Sequence, residues 1–554
     1  MSTRHFAFWP KRLQQTLTLP QTSLYHNVEV SAKRYPNRPF ILFYDTPISY
    51  REFQEQTEFL AGYLKTVCKV KKGDRVLLYM QNSPQFILGY YAILRANAVV
   101  IPVNPMNQSD EFKHYIKDSG ATTVLVSQEL FENVKPHLNS GKDTLSHAVV
   151  ACYSDYLIQP TDLKIPDYVS ASREDRFEDG AITWNDALKQ KIQPGPITVG
   201  PDDLCVMPYT SGTTGHPKAC MHTHRSVMAT TVGNEIWFGS TLDDVRLTVI
   251  PLFHVTGMQG SMNSPIYTGA TIVLLPRWDR EVAAQCIDRY KITSFSSVPT
   301  MIVDFLANPN LKKYDISSIK RLNGGGTAMP EAIAQKLQDM GINFVEGYGL
   351  SETMAASHIN PPERPKKQCL GIPIFGVESR ILDPNTLKEV PPGETGEIFT
   401  SGPQVFKGYW NNPEATKEAL IELDGKTFLK TGDLGKIDED GYFFMVDRLK
   451  RMINASGYKV WPAEVELMLY QHPAIQEACI IAAKDQHRGE TVKALIVLKP
   501  EFKGKVTEQE LIHWAGNNMA RYKAPKLLEF IDQLPKSGSG KIQWRTLQEQ
   551  ELTK

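Results

Sequence analysis

The chain has 554 residues, 42% of them hydrophobic and 22% charged, a balance that excludes a disordered or membrane-spanning protein and leaves room for at least two domains. Lysine and arginine total 61, as do aspartate and glutamate, so no global field favours nucleic acid or an anionic membrane, and any anion binding is local. The seven cysteines form no CxxC pair and are odd in number, which argues against a disulfide framework and for a reducing, cytoplasmic setting.

In chain order, the opening MSTRHFAFWPKRLQQ holds no apolar run of signal-peptide length, so export by that route is not expected. Between about 40 and 350, strand-like runs (RVLLYM, AVVIPV, TTVLV) alternate with helix-period segments (PQFILGYYAILRA, DEFKHYIKDSG). That alternation predicts an α/β fold with mixed or parallel sheets. The apolar stretch from Ile87 to Val103 is broken by Arg95 and Asn97 and stopped at Pro102, so no transmembrane segment is predicted. Residues 153 to 200 are polar and proline-rich and read as an irregular surface excursion leading into LCVMPY. Beyond it, VRLTVI, TIVLLP, ITSFSSV and NFVEGYG read as strands, and REVAAQCIDRYK and PEAIAQKLQDM as amphipathic helices. After Asp447 the order changes to helix, strand, strand, helix, strand (PAEVELMLYQ, ACIIAA, VKALIVL, QELIHWAGNNM, LLEFI). This predicts a separate, compact α+β domain.

The most informative segment runs from Tyr209 to Lys218, YTSGTTGHPK. Gly212 and Gly215 let backbone N–H groups turn towards an anion, Thr210, Ser211, Thr213 and Thr214 supply hydroxyls, and Lys218 supplies a positive charge. It does not match the Walker A spacing, and on its own such a stretch could be a flexible turn. Further on stand the glycine run Gly324, Gly325 and Gly326; EGYGLSE, with Gly347, Tyr348, Ser351 and Glu352; TGD, ending at Asp433; VDRLK, with Arg448 and Lys450; NASGYKV, with Ser456 and Gly457; and LPKSGSGK, ending at Lys541.

In this order, and together with GEIFTSGPQVFKGYWNNPEAT, these segments closely resemble the motifs of the adenylate-forming superfamily of acyl-CoA ligases, luciferases and peptide-synthetase adenylation domains. The resemblance extends over most of the chain. It implies a large N-terminal multi-sheet α/β domain (1–446) binding AMP and the acid, a hinge (447–450) and a small mobile α+β C-terminal domain (451–554) carrying the catalytic lysine. It further implies that residues 210–215, Lys218, Gly324 and Gly325 hold ATP, that Gly347 and Tyr348 lie against adenine, and that Ser351 reaches the α-phosphate in place of the usual threonine. By the same resemblance Glu352 supports Mg²⁺, Asp433 accepts from the ribose hydroxyls with Arg448 nearby, Lys450 is the pivot, Ser456 and Gly457 lie on the CoA side, and Lys541 serves adenylation. Asn454 stands where members often carry a lysine, so no role is carried over to it.

The reaction so implied takes a small-molecule carboxylic acid and ATP to an acyl-adenylate and pyrophosphate, after which CoA displaces AMP. PLFHVTG resembles the acid-pocket segment of acyl- and aryl-CoA ligases, which places His254 in the pocket; Trp237, Met258, Phe238 and Tyr267 are further apolar candidates, equally readable as core. A medium- or long-chain fatty acid is the expected substrate, an aromatic or branched acid the second choice. Two other readings stay open: a ligase loading a separate carrier protein, and a non-catalytic paralogue that only binds nucleotide or acyl chains. The chain ends soon after Lys541, so no fused carrier is expected, and the neutral charge balance leaves room for peripheral membrane contact through an acyl-entry surface but no nucleic-acid partner.

Overall fold

The computed structural model describes residues 3–141, 144–175, 177, 180–210, 217–325, 329–455, 458–485, 489–537 and 541–553. The chain packs as two compact units, a large one of Thr3–Glu378 with Thr400–Leu429 and a small one of Ser379–Phe399 with Lys430–Lys554.

One sheet of the large unit has seven strands, in the order His222–Thr223, Leu204–Val206, Val99–Pro102, Arg75–Tyr79, Thr123–Ser127, His147–Ala151, Ala181–Thr183. All neighbours are parallel except the edge strand His222–Thr223. The apolar stretch noted above resolves here into helix Pro84–Arg95 and strand Val99–Pro102. Ser83 caps the helix by accepting from Phe86 N–H, Asn97 turns the chain at φ +67°, and the buried Arg95 charge is paired with Glu58 at 2.8 Å. The helix has no polar face because every residue of it is buried, yet among the described residues no helix is long and apolar enough to cross a membrane.

The second sheet has nine strands. Its centre is parallel: β1 (Val245–Thr248) lies between Thr271–Leu274 and β2 (Ser294–Ser297), followed by β3 (Arg321–Gly324) and β4 (Asn343–Leu350). Antiparallel strands Ala355–Ile359 and Ile372–Pro373 finish that side. Helix α1 (His224–Phe238) starts where Thr223 accepts from Ser226 N–H and stops at left-handed Gly239, and nearly all of it is buried. Strands such as Thr271–Leu274 (TIVL) are continuous apolar runs, as buried parallel strands tend to be, whereas β2 (SFSS) buries three serines.

The stretch from 153 to 200 departs from its expected irregularity. Ala181–Thr183 supplies the seventh strand of the first sheet, and Trp184, opening helix Trp184–Lys189, is fully buried. Single large anchors among polar residues carry no periodic signal, so pattern reading passes over them.

In the small unit, Tyr458–Val460, Ile453–Ala455, Gly489–Leu498 and Ile475–Asp485 form an antiparallel run, and Leu527–Phe530 adds in parallel to Gly489–Leu498. Helices Pro462–Leu469 and Glu508–Asn518 were expected; Trp544–Leu552 was not. Gln548 of that last helix bonds both ways to the backbone of Ala482, at 2.7 and 2.8 Å. This unit also reaches back beyond residue 447, because the second half of β5 (Lys426–Ile437) pairs with β6 (Phe443–Arg448).

Candidate active site

In the large unit, strand Tyr209–Thr210 pairs antiparallel with Lys218–Ala219, Thr210 opposite Lys218. The hairpin thus brackets Ser211, Gly212, Thr213, Thr214 and Gly215, which lie outside the described residues. Tyr209 roots it by donating to Asp118 at 2.6 Å. The returning strand continues into a second zipper: Trp410 N–H donates to Ala219 O, Met221 N–H to Gly408 O and Lys407 N–H to Met221 O, at 2.9 to 3.0 Å.

That zipper places Tyr409 beneath Lys218, whose ammonium stands 4.3 Å from the ring centroid, a favourable cation–π position. The Tyr409 hydroxyl donates to Glu352 at 2.7 Å. Burial first, then the nearby Glu352 charge, raise the Tyr409 pKa far above its ordinary value, so the phenol stays a donor. One tyrosine therefore links the two charged groups, Lys218 and Glu352. Tyr409 was missed as a site residue, although it is the tyrosine of the GYW segment, and only the fold reveals what it touches.

Glu352 sits at a sharp return. β4 ends at Leu350, the turn Ser351–Thr353 follows, and Met354 and Ala355 are both left-handed, at φ +47° and +74°. The return is so tight that a Cβ on Gly349 would lie 1.6 Å from the Ala355 carbonyl, hence glycine. His222 secures it from below, its Nε2 lying 2.7 Å from the Ser351 carbonyl. Burial pushes the His222 pKa down to about 4, so the ring is neutral at pH 7 and its Nε2 carries the proton given to Ser351. His222 is a second residue that motif reading passed over.

Gly324, Gly325 and Gly347 are brought together by the parallel register that sets Gly324 opposite Glu346. A Cβ on Gly325 would meet the Gly347 carbonyl at 2.3 Å, so the two backbones touch where a flat ring could be received. The Tyr348 ring is tilted against His358, 5.5 Å between centroids. These groups stand at the carboxyl ends of parallel strands, where open α/β sheets take ligands.

His254 is half-buried and caps the short helix Val255–Gly257, its Nδ1 accepting from Thr256 N–H at 3.3 Å. Met258 is fully buried and opens a π-helical turn, Met258–Asn263; such turns frequently mark functional sites. Trp237 is fully buried too, donating to the Asn360 carbonyl at 3.1 Å and packed edge-on to Trp9 and Phe375. The structure thus sets Trp237 in an aromatic core cluster.

In the small unit, Asp433 is directly opposite Arg448 across β5 and β6. The carboxylate is 2% exposed and the guanidinium Nε lies 3.1 Å away. Beside them Gly432 N–H donates to Glu397 at 2.9 Å and Thr431 to the Ile398 carbonyl at 2.7 Å, which holds TGD in place. Lys450 is exposed in the turn Leu449–Arg451. Asp447, on one side of it, accepts from Ala463 N–H at 2.6 Å, and Arg451, on the other, is paired with Glu466. Lys541 is exposed; its carbonyl accepts from Ser537 N–H at 2.8 Å and its N–H donates to Ser537 Oγ at 3.3 Å. Ser456 and Gly457 lie outside the described residues.

Residues 28–410 match the family described as AMP-binding enzyme, and residues 464–541 match the AMP-binding enzyme C-terminal domain. The chain belongs to the AMP-binding enzymes. Like other AMP-binding enzymes of the AMP-forming acid–thiol ligase kind, it uses ATP and CoA. It is 36% identical to a long-chain-fatty-acid–CoA ligase of Bacillus subtilis (strain 168), covering 98% of this chain and 97% of that protein. A feruloyl-CoA synthase of an Amycolatopsis species is 33% identical over 92% of this chain and 95% of its own length. Among solved structures, the anthranilate CoA ligase AuaEII in complex with anthranoyl-AMP superposes with a TM-score of 0.82 at 26% identity, covering 97% of this AMP-binding enzyme and 98% of that chain.

Proposed function

We propose that the chain converts a medium- or long-chain fatty acid and ATP to the acyl-adenylate and pyrophosphate, then transfers the acyl group to CoA and releases AMP. The observation that carries this reading is the Lys218–Tyr409–Glu352 link beside the hydroxyl- and glycine-rich hairpin, together with the similarity to a long-chain-fatty-acid–CoA ligase over nearly the whole chain. A carboxylate oxygen attacks the α-phosphorus and pyrophosphate leaves; the CoA sulfur then attacks the acyl carbonyl and AMP leaves. Both steps gather negative charge, so fixed positive charges and donors are the main lever.

In this reading residues 210–215 and Lys218 hold the phosphates, Gly324, Gly325, Gly347 and Tyr348 the adenine, Ser351 the α-phosphate, and Asp433 with Arg448 the ribose. Lys541 acts in adenylation, Lys450 is the pivot, and Ser456 and Gly457 face CoA. Glu352 offers one hard carboxylate, with one oxygen already bonded to Tyr409, which suits an ion that draws its other ligands from phosphate and water. Glu352 would hold Mg²⁺, whose chemistry there is charge neutralisation. His254 and Met258 border the acid. The seven cysteines are all free and buried, which supports a cytoplasmic setting.

CoA-dependent AMP release across acetate, octanoate, palmitate, benzoate and cinnamate, with Lys541→Ala as control, tests the reading. Activity on an aliphatic series that the variant loses upholds it. The similarity to a feruloyl-CoA synthase and to an anthranilate CoA ligase favours an aromatic acid as second reading; turnover of benzoate or cinnamate alone would establish that one.

A further inference from the structure

A small cavity of about 30 Å³ lies in the large unit among α1, the turn Met258–Asn263 and strands β1, β2 and β3. At roughly 10–15 Å³ per water it has room for two or three water-sized groups, or one carboxylate. Its wall is polar for so deep a place. Glu235 of α1 and Arg246 of β1 form an ion pair, with only 3% and 6% of each residue exposed. Arg321 of β3 adds a third charge.

The two arginines are only partly satisfied. Arg246 Nη1 donates to the Gly260 carbonyl at 3.2 Å; Arg321 Nη1 donates to the Phe238 carbonyl at 3.3 Å, and its guanidinium lies 4.5 Å from that ring's centroid. Among the described residues, the buried Nε of each arginine and Oδ1 of buried Asn234 find no hydrogen-bond partner. Glu235 and the nearby Asp244 carboxylate both act on the two arginines, so what sets the cavity apart is its unspent guanidinium donors rather than a net charge. Burial, then the repulsion of Arg246, lower the Arg321 pKa to about 10, which still leaves it charged at pH 7. Buried guanidinium groups with unspent donors are a poor structural choice and a good anion receptor.

The cavity is walled in part by the turn that Met258, one of the acid-pocket candidates, opens. We propose that Arg321, seconded by Arg246, is a specificity-determining residue that receives a second carboxylate at the far end of the acid, so that the chain prefers an α,ω-dicarboxylic acid to the plain fatty acid of equal length. The inference rests on the acid:CoA ligase reading and names its substrate class more closely.

Matched pairs, octanoate with suberate and decanoate with sebacate, test it in CoA-dependent AMP release by the full chain. In the wild type kcat/KM for the dicarboxylate should exceed that for its partner by about tenfold or more. Arg321→Met should move that ratio by about a hundredfold towards the plain acid, while Arg321→Lys should retain part of the preference. Each ratio is taken within one preparation, so a smaller folded fraction cancels. A wild-type preference for the plain acid, or a ratio unmoved in Arg321→Met, overturns the inference and leaves the cluster as a structural ion pair, with the ligase reading intact. Silence on every acid, aromatic ones included, overturns both.

Discussion

The groups gathered in the large unit and the lysine near the end of the small unit are held in opposite ways. Lys218, Tyr409 and Glu352 are fixed by two backbone zippers, a left-handed return and a buried histidine beneath it. Lys541 is exposed and secured by a clasp to Ser537. In the proposed reading, a binding cradle gains from rigidity, since every donor must already point at the phosphates when they arrive. A group proposed to act in one half-reaction needs no such scaffold, so its removal should be felt in rate and hardly at all in stability.

The sharpest way to break that comparison is Lys541→Ala. Acyl-adenylate formation should fall by about a hundred- to a thousandfold, the loss typical of one transition-state donor, with the thermal midpoint unchanged. A midpoint drop of several degrees would show that Lys541 is structural. Next comes Lys450→Pro, which fixes φ at the proposed pivot: pyrophosphate exchange should survive while thioester formation falls by about a hundredfold, the order expected of misplaced reacting groups. Equal loss of both half-reactions would remove Lys450 from that role. On the rigid side, Tyr409→Phe deletes the hydroxyl on Glu352. A hydrogen bond to a charged group is worth ~1.5–3 kcal/mol, so KM for ATP should rise about tenfold and the midpoint should fall, unlike with Lys541→Ala. An unchanged KM would separate Tyr409 from the nucleotide.

The last prediction concerns pH. The folded-state pKa of His222 is about 4, below the ordinary value near 6.5. Its neutral form is what folding favours, so this contribution is complete above pH 6.5 and is lost as pH falls towards 4, by ~3 kcal/mol at most. Burial raises the pKa of Glu346, Glu397 and Asp447, which acts with the opposite sign over acidic pH. The difference between wild type and His222→Gln isolates the histidine: denaturant unfolding at pH 7 and pH 4.5 should show a shallower pH dependence in the variant. Parallel slopes would mean that His222 is not the neutral prop of Ser351.

Pattern reading recovered the strands that are buried on both faces, such as Arg75–Tyr79 and Val99–Pro102, because their apolar runs are continuous. It passed over Ala181–Thr183 and the helix after Lys541, whose anchors are single side chains. Resemblance to the adenylate-forming motifs marked Lys218, Glu352 and Asp433, but Tyr409 and His222 act through partners far away in sequence, and no spacing rule brings position 409 to position 352. Trp237 shows the reverse limit, since an apolar residue near a pocket segment carries the same signal whether it borders a substrate or packs against Trp9.

By itself the sequence determined the α/β class, the adenylate-forming family and the identity of the charged groups, because those depend on local periodicity and on motifs a few residues long. Tertiary structure alone decided that one tyrosine joins Lys218 to Glu352, that His222 stays neutral under Ser351, and that Glu235, Arg246 and Arg321 line a single cavity with guanidinium donors unspent. Each of these arises where separate strands meet in low-dielectric surroundings, and burial and partner geometry there set what a charge can do.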